Sequence, residues 1–357
     1  MRRKGISVAF LGLLVVVSAL GLAPMTNAQS QTVLKVAASI TPLAGLAEEI
    51  GGPYIETTVM LPEGIEPHAA TLSPEAVIAA EEADLLILTG HFSWEEDLIG
   101  VVDTPYLTMN DDAALESYDD FGARLSDMPG NHSEEGNVIA QHDHEGNPHG
   151  WWLLPANALA VANASRSAFS TLNSSYASVW QGNFNRFADD VAAFNELVSS
   201  ADDEYSFSQM QAVVVTPAEA YIAEAFGIGV EAVLQIDQVL IAGTELLDVQ
   251  DAIRAGEVNL ILGSDVARLQ SGGEYAQQLV EDYGIPLVWC RAIFFEELND
   301  YLALMTFNLG AISSGLEAAS VGAAVDAVNL ALLMLAGIFG LVALVEAVIL
   351  VQRARTD

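Results

Sequence analysis

Short apolar runs alternate along the chain with stretches of helical period, and that alternation fixes the class of fold. Val33 to Ser39 reads as a strand, and Thr41-Pro42 opens a helical pattern to Ile50 that Gly51-Gly52 closes. Proline suits a first helical turn and glycine an exit. A second strand covers Ile55 to Leu61, Pro62-Glu63-Gly64 is a turn, and Ser73-Pro74-Glu75 starts a helix with a capping serine and an acid in its first turn. Asp84 to Thr89 is a buried strand; from Asp111 to Gly150 the pattern dissolves into an acidic, Gly- and His-bearing surface loop. Pro155 to about Phe187 reads as helix, with a further helical segment to Ser199, which makes residues 155–199 a long helical connection. The second half repeats the alternation. Strands at Ala212–Val215, Asn259–Leu262 and Ile285–Trp289 are interleaved with helices at Pro217–Phe226, Thr244–Arg254 and around Tyr275–Asp282, and a last helix runs from Glu296 to about Ser313. The expected fold is α/β, with lobes at 32–154 and 205–315, each built on a mostly parallel sheet, joined by one long helix. Ligands in such sheets bind beyond the carboxyl ends of the strands, so a site between the lobes is the geometric default.

The two ends carry a different pattern. Arg2-Arg3-Lys4, an apolar run from Ile6 to Leu22, and the small residues before Ala28 form the three parts of a secretory signal, expected to span 1–28. Residues 327–351 are almost wholly apolar, apart from Asn329 and Glu346, and long enough to cross a bilayer as a helix. Arg353 and Arg355 follow, which places the tail, 352–357, on the cytoplasmic side and the large middle portion outside. The expected location is the cell membrane, with a single pass and an external domain.

Charge and composition narrow the partners. Twelve Lys and Arg against 48 Asp and Glu give a net charge of −36, so the clustered basic side chains that nucleic-acid binding needs are missing. Setting aside the terminal basic groups leaves seven in the outer portion, with Lys35 its one lysine. An acidic surface of this kind either concentrates cations or keeps the protein soluble in salt. A single cysteine, Cys290, excludes a disulfide framework and a thiolate zinc cluster, so any metal is held by histidine and carboxylate. Cys290 itself reads as a buried small apolar residue.

All six histidines, His68, His91, His132, His142, His144 and His149, fall within one quarter of the chain. Neutral imidazole is the commonest side-chain ligand for zinc and its neighbours. The run Leu61-Pro62-Glu63-Gly64-Ile65-Glu66-Pro67-His68, with Leu72-Ser73-Pro74-Glu75 after it, resembles the segment that supplies the first histidine ligand in the zinc- and manganese-binding (cluster A-I) solute-binding proteins of metal ABC importers. His142-Asp143-His144-Glu145-Gly146-Asn147-Pro148-His149-Gly150-Trp151-Trp152-Leu153-Leu154-Pro155 is similar to their His- and acid-rich loop and the motif after it, with His149 in the second ligand position. The resemblance covers about residues 32–310. It implies a rigid connecting helix, a divalent metal, zinc or manganese, held between the lobes, and delivery to a membrane permease driven by a cytoplasmic ATPase.

The second lobe departs from that family's pattern. Val213-Val214-Val215-Thr216-Pro217-Ala218-Glu219 resembles the stretch with the family's third histidine, yet Thr216 stands there. For the carboxylate ligand after a strand, Asp265 is favoured over Ser264 in Leu260-Ile261-Leu262-Gly263-Ser264-Asp265, because an anion lowers the cost of holding a divalent cation. His91, in Thr89-Gly90-His91-Phe92, is a candidate replacement for the missing histidine; the alternatives are a water ligand, a site completed by Glu219, or loss of tight binding. The candidate metal set is therefore His68, His149, Asp265 and His91, with no catalytic residues. The sequence contains no Gly-x-Ser-x-Gly elbow, His-Glu-x-x-His pair or phosphate-cradling glycine loop, so no enzymatic activity is expected. The expected function is extracytoplasmic capture of zinc or manganese by a monomer for an ABC importer. A surface adhesin or metal sensor on the same scaffold is the alternative, and a metal-dependent hydrolase stands behind both.

Overall fold

A computed structural model describes residues 33–109, 121–130, 146–236, 238–293 and 300–319. The expected signal at 1–28, the membrane span at 327–351, the tail at 352–357, His132, His142 and His144 lie outside these residues. Among the described residues no helix is long and apolar enough to cross a membrane. The elements below, all of described residues from Leu34 onward, belong to one unit.

The first lobe is built on β1 (Leu34–Ala38), α1 (Thr41–Gly51), β2 (Ile55–Val59), α2 (Pro74–Glu82), β3 (Leu85–Ile87), α3 (Ser93–Ile99) and β4 (Tyr106–Leu107). Its sheet has the order β2-β1-β3-β4, and every pairing in it is parallel. The Ser73 hydroxyl accepts from the Ala76 N–H at the start of α2, as its sequence position predicts. The second lobe contains β5 (Gln211–Val214), β6 (Gly229–Val233), β9 (Leu260–Ser264) and β10 (Leu287–Cys290) in the order β10-β9-β5-β6, again all parallel. Around this second sheet lie α6 (Ala218–Ala225), α7 (Thr244–Ala255), α8 (Ser271–Tyr283) and a two-stranded hairpin, β7 (Gln235–Ile236) and β8 (Val239–Leu240). A last helix, α9, spans 301–319.

The connection between the lobes is two helices that divide at Asn173, not near Phe187 where the pattern divides them, and the second is the long helix. α4 (Pro155–Leu172) stops at Asn173, whose side-chain oxygen accepts from the Ser175 N–H and turns the chain into α5 (Ala177–Tyr205). Asn, Ser and Ser in succession offer the backbone local side-chain bonds that compete with helix, which is the physical reason for the break. The long helix is thus α5, 29 residues ending at Tyr205. It buries Trp180, Phe184, Phe187, Val191 and Phe194, a stripe at alternating four- and three-residue steps. Trp180 Nε1 donates to the Gly51 carbonyl and Asn183 Nδ2 to that of Ile50, so α5 also closes the end of α1. One cluster of buried apolar side chains runs through both lobes from Leu34 to Ile312, while a second, smaller one fills the other face of the second sheet.

Candidate metal centre

Each histidine that the fold brings to the cleft is presented by a side-chain oxygen that organises its local backbone. His68 follows β2, in the segment before α2, where the Glu66 carboxylate accepts from the N–H of His68 at 3.2 Å and of Ala69 at 2.7 Å. His91 follows β3. There the buried Glu95 carboxylate gathers the N–H groups of Thr89, His91 and Phe92 and the Thr89 hydroxyl, at 2.7–3.2 Å, and so shapes the turn into α3. His149 precedes α4 and is buried; Asn147 Oδ1 accepts from its N–H at 3.0 Å and lies 3.1 Å from its Nδ1. Because Asn147 Nδ2 donates to the Pro217 carbonyl at 2.8 Å, its Oδ1 is the atom that faces the ring. That arrangement favours the tautomer with the proton on Nδ1, the form in which a histidine ligates metal through Nε2.

The three rings converge. Their centroids are 5.0 Å apart for His68 and His91, 5.4 Å for His68 and His149, and 4.2 Å for His91 and His149. One potential ligand atom from each lies within 4.8 Å of the others. Zinc bonded at about 2.0 Å in a tetrahedron holds its nitrogens roughly 3.3 Å apart, so this group needs only modest closing to take such an ion. Glycine at 150 serves the same end. Its φ is +80°, and a Cβ there would meet the Cα, Cβ and carbonyl oxygen of Ala218 at 3.0 Å, so the His149 segment and α6 approach more closely than another residue allows.

The second lobe forms the opposite wall of the same pocket through Thr216, Pro217, Ala218, Gln235, Gln238, Val266, Gln270, Ala292 and Ile293. Asp265 is not in the three-histidine group. Its carboxylate accepts from the N–H groups of Val266, Ala292 and Ile293 at 2.9, 3.0 and 3.4 Å, and so ties the end of β9 to the chain leaving β10. Thr216 lines the pocket, and its N–H and hydroxyl both donate to Glu219 Oε2, at 2.6 and 2.7 Å. Glu219 is completely buried. Burial pushes its carboxyl up to about 7, opposed in part by the hydroxyls of Ser264 and Thr216. Thr89 with Glu95 and Thr216 with Glu219 are thus the same device in two lobes: a threonine just past a strand, anchored by a buried glutamate on the following helix or its first turn. Cys290 is buried, and desolvation first, then the charges of Glu219 and Asp265, push its thiol up, which opposes the thiolate form that binds metal.

Glu66, Glu95 and Asn147, and the three glutamines of the far wall, escape a reading of the sequence alone. Glu95, three residues after a strand-end Gly90-His91-Phe92 and in a first helical turn, carries a faint signal; the glutamines carry none.

A family model described as ZnuA, zinc-uptake complex component A periplasmic, matches residues 36–315. No curated protein matched the sequence. Among solved structures, a crystal structure of ZnuA is 17% identical, with a TM-score of 0.63 over 79% of this chain and 99% of that one. A Mn-bound periplasmic metal-binding protein from Candidatus Liberibacter asiaticus gives 17%, 0.61, 79% and 99% for the same four quantities. The solute-binding protein FpvC from Pseudomonas aeruginosa in complex with Ni2+ gives 17%, 0.60, 80% and 97%. At such identity these structures establish the fold, two α/β lobes with a long helix, and the family model establishes the relationship. The three-histidine cleft therefore sits in a chain that belongs to the family of the periplasmic component A of zinc-uptake complexes.

Proposed function

We propose that the protein captures a divalent transition-metal ion outside the cytoplasm and delivers it to the permease of an ABC importer, whose ATPase works on the inner face. The convergence of His68, His91 and His149 in one cleft carries this reading. In it those three imidazoles are the protein ligands. The fourth position, facing Thr216 and the second lobe, is filled by water or by Asp265 after a local movement that frees its carboxylate. A set of three nitrogens selects zinc over manganese, because imidazole suits the later first-row ions while manganese favours oxygen. Export by residues 1–28 and a single span at 327–351 keep the monomer at the outer face of the membrane, so the captured ion stays beside the permease. Family membership supports binding and delivery over turnover, and no enzymatic step is assigned.

The test is metal titration of the purified chain in detergent with Zn, Mn, Co and Ni, beside His68→Ala, His91→Ala and Asp265→Ala. One tight zinc per chain is expected, weakened by at least about a hundredfold in either histidine variant, in proportion to the loss of one of three strong ligands. Unchanged zinc affinity in His91→Ala would remove that residue from the ligand set, and no binding of any ion would end the reading.

A further inference from the structure

The far wall of the pocket contains a chain of side chains whose hydrogen bonds all run one way. It starts at the Gly272 N–H, in the first turn of α8, where no helical partner exists for it. That N–H donates to Gln235 Oε1 at 2.6 Å, and the Ser271 hydroxyl donates to the same atom at 3.0 Å. A backbone N–H is only ever a donor, so the Gln235 amide is fixed with its oxygen toward α8 and its nitrogen toward Gln270. Gln235 is 1% exposed. Its Nε2 donates to Gln270 Oε1, which in turn fixes the Gln270 amide, whose Nε2 donates to Glu66 Oε1 at 3.2 Å. From the hairpin, Gln238 Nε2 reaches Glu66 Oε2, also at 3.2 Å. Gln238 holds a φ of +65° although it is not glycine, a backbone cost borne at the position that reaches across to the first lobe. Both donors thus end on the one carboxylate whose other bonds hold the N–H groups of His68 and Ala69.

We propose that Glu66 is the latch of the pocket: a positioning residue through which the second lobe, by way of Gln270 and Gln238, sets how long His68 stays in place and hence how long the metal is retained. The second lobe then governs residence of the ion through hydrogen bonds to Glu66, whether or not Asp265 also supplies a ligand. Opening the lobes by a small amount breaks two bonds to Glu66 and frees the His68 segment, while His91 keeps its support in Glu95 within the first lobe; Asn147, which supports His149, stays tied to the second lobe through the Pro217 carbonyl and the Tyr221 hydroxyl. This assignment rests on the metal-binding reading of the three histidines.

The experiment is chelator-triggered release of zinc from the full chain, followed by stopped-flow, in the wild type, Gln270→Glu, Glu66→Ala and the double variant. Gln270→Glu keeps the shape of the side chain but turns an acceptor toward Glu66, so it removes the bond with little risk to folding; thermal melting of the metal-free proteins checks that directly. Release is expected to be about tenfold faster in each single variant, as for loss of a hydrogen bond to a charged group, with the association rate within about twofold of wild type. The double variant is expected to be no faster than the faster single one, because both changes remove the same connection. Wild-type release rates in Gln270→Glu, or rate effects that multiply in the double variant, would overturn the latch. A wild-type chain that binds no zinc would instead end the metal-binding reading on which it stands.

Discussion

Glu219 shows most plainly how a single side chain sets a property of the protein. Its carboxyl is held at about 7 in the folded protein by complete burial, against an ordinary value of 4.5. Between those values the folded state binds a proton that the unfolded chain has released, so this group's contribution to stability is full below about pH 4.5 and is lost as pH rises through about 7. The total is on the order of 3 kcal/mol. Glu219→Gln retains an oxygen for the Thr216 N–H and hydroxyl and carries no charge. The metal-free variant is therefore expected to lose this slope and to exceed the wild type at pH 8; urea titrations of both proteins from pH 5 to 8 measure the difference, and parallel curves would contradict it. That His68 and His149 approach one another is anticipated by the motifs around them, whereas His91 is suggested only by the clustering of histidines and by its place after a predicted strand. The residues that aim them are not legible in the sequence. Glu66, Glu95 and Asn147 are ordinary polar side chains in a chain rich in acids, and their roles arise from which N–H groups the turns bring to them.

At the level of elements, the alternation of strand and helix predicts both parallel sheets because it is written in buried runs such as Leu85–Ile87 and Val213–Val215, which have no amphipathic reading to compete with. The two-residue strands β4, β7 and β8 are too short to set a period, and the hairpin that carries Gln238 is invisible for that reason. The break between α4 and α5 was available in Asn173-Ser174-Ser175, whose side chains compete for the backbone, but apolar residues at helical spacing on both sides conceal it. The segment at Gly150 links element geometry to the site. Gly150→Ala places a methyl 3.0 Å from three atoms of Ala218 and forces a left-handed backbone on a residue that disfavours it. A loss of about 1–3 kcal/mol is expected from the backbone alone. Chemical denaturation should register that loss, and a titration should show weaker zinc binding, because His149 adjoins the displaced bond.

Across the whole molecule the two lobes share one apolar cluster, in which Trp151, Trp152, Phe187 and Tyr301 lie with residues of both sheets. Trp152 Nε1 donates to the Ala292 carbonyl, the Tyr301 hydroxyl to that of Leu153, and the Tyr221 hydroxyl to that of Asn147, so polar bonds cross where the core does. Lobes joined in this way are expected to unfold together. In the metal-free protein, far-ultraviolet circular dichroism and tryptophan fluorescence should trace one coincident transition in denaturant, whereas two separated transitions would mean that the lobes are independent. The same continuity limits relative motion of the lobes to a small adjustment, which suits a pocket whose far wall touches the first lobe through individual hydrogen bonds.

The positions of the histidines along the chain have an evolutionary consequence. All three occur by residue 149, whereas the wall that faces them is drawn from residues 216–293. With the three histidines as ligands and Glu66 as latch, as proposed above, ion choice rests mainly on the first stretch and hand-over rate on the second, so the two traits would be open to separate redesign. A lineage moved to a metal-poor habitat could lengthen retention by substitutions around Gln235, Gln238 and Gln270 while its coordination chemistry stayed the same.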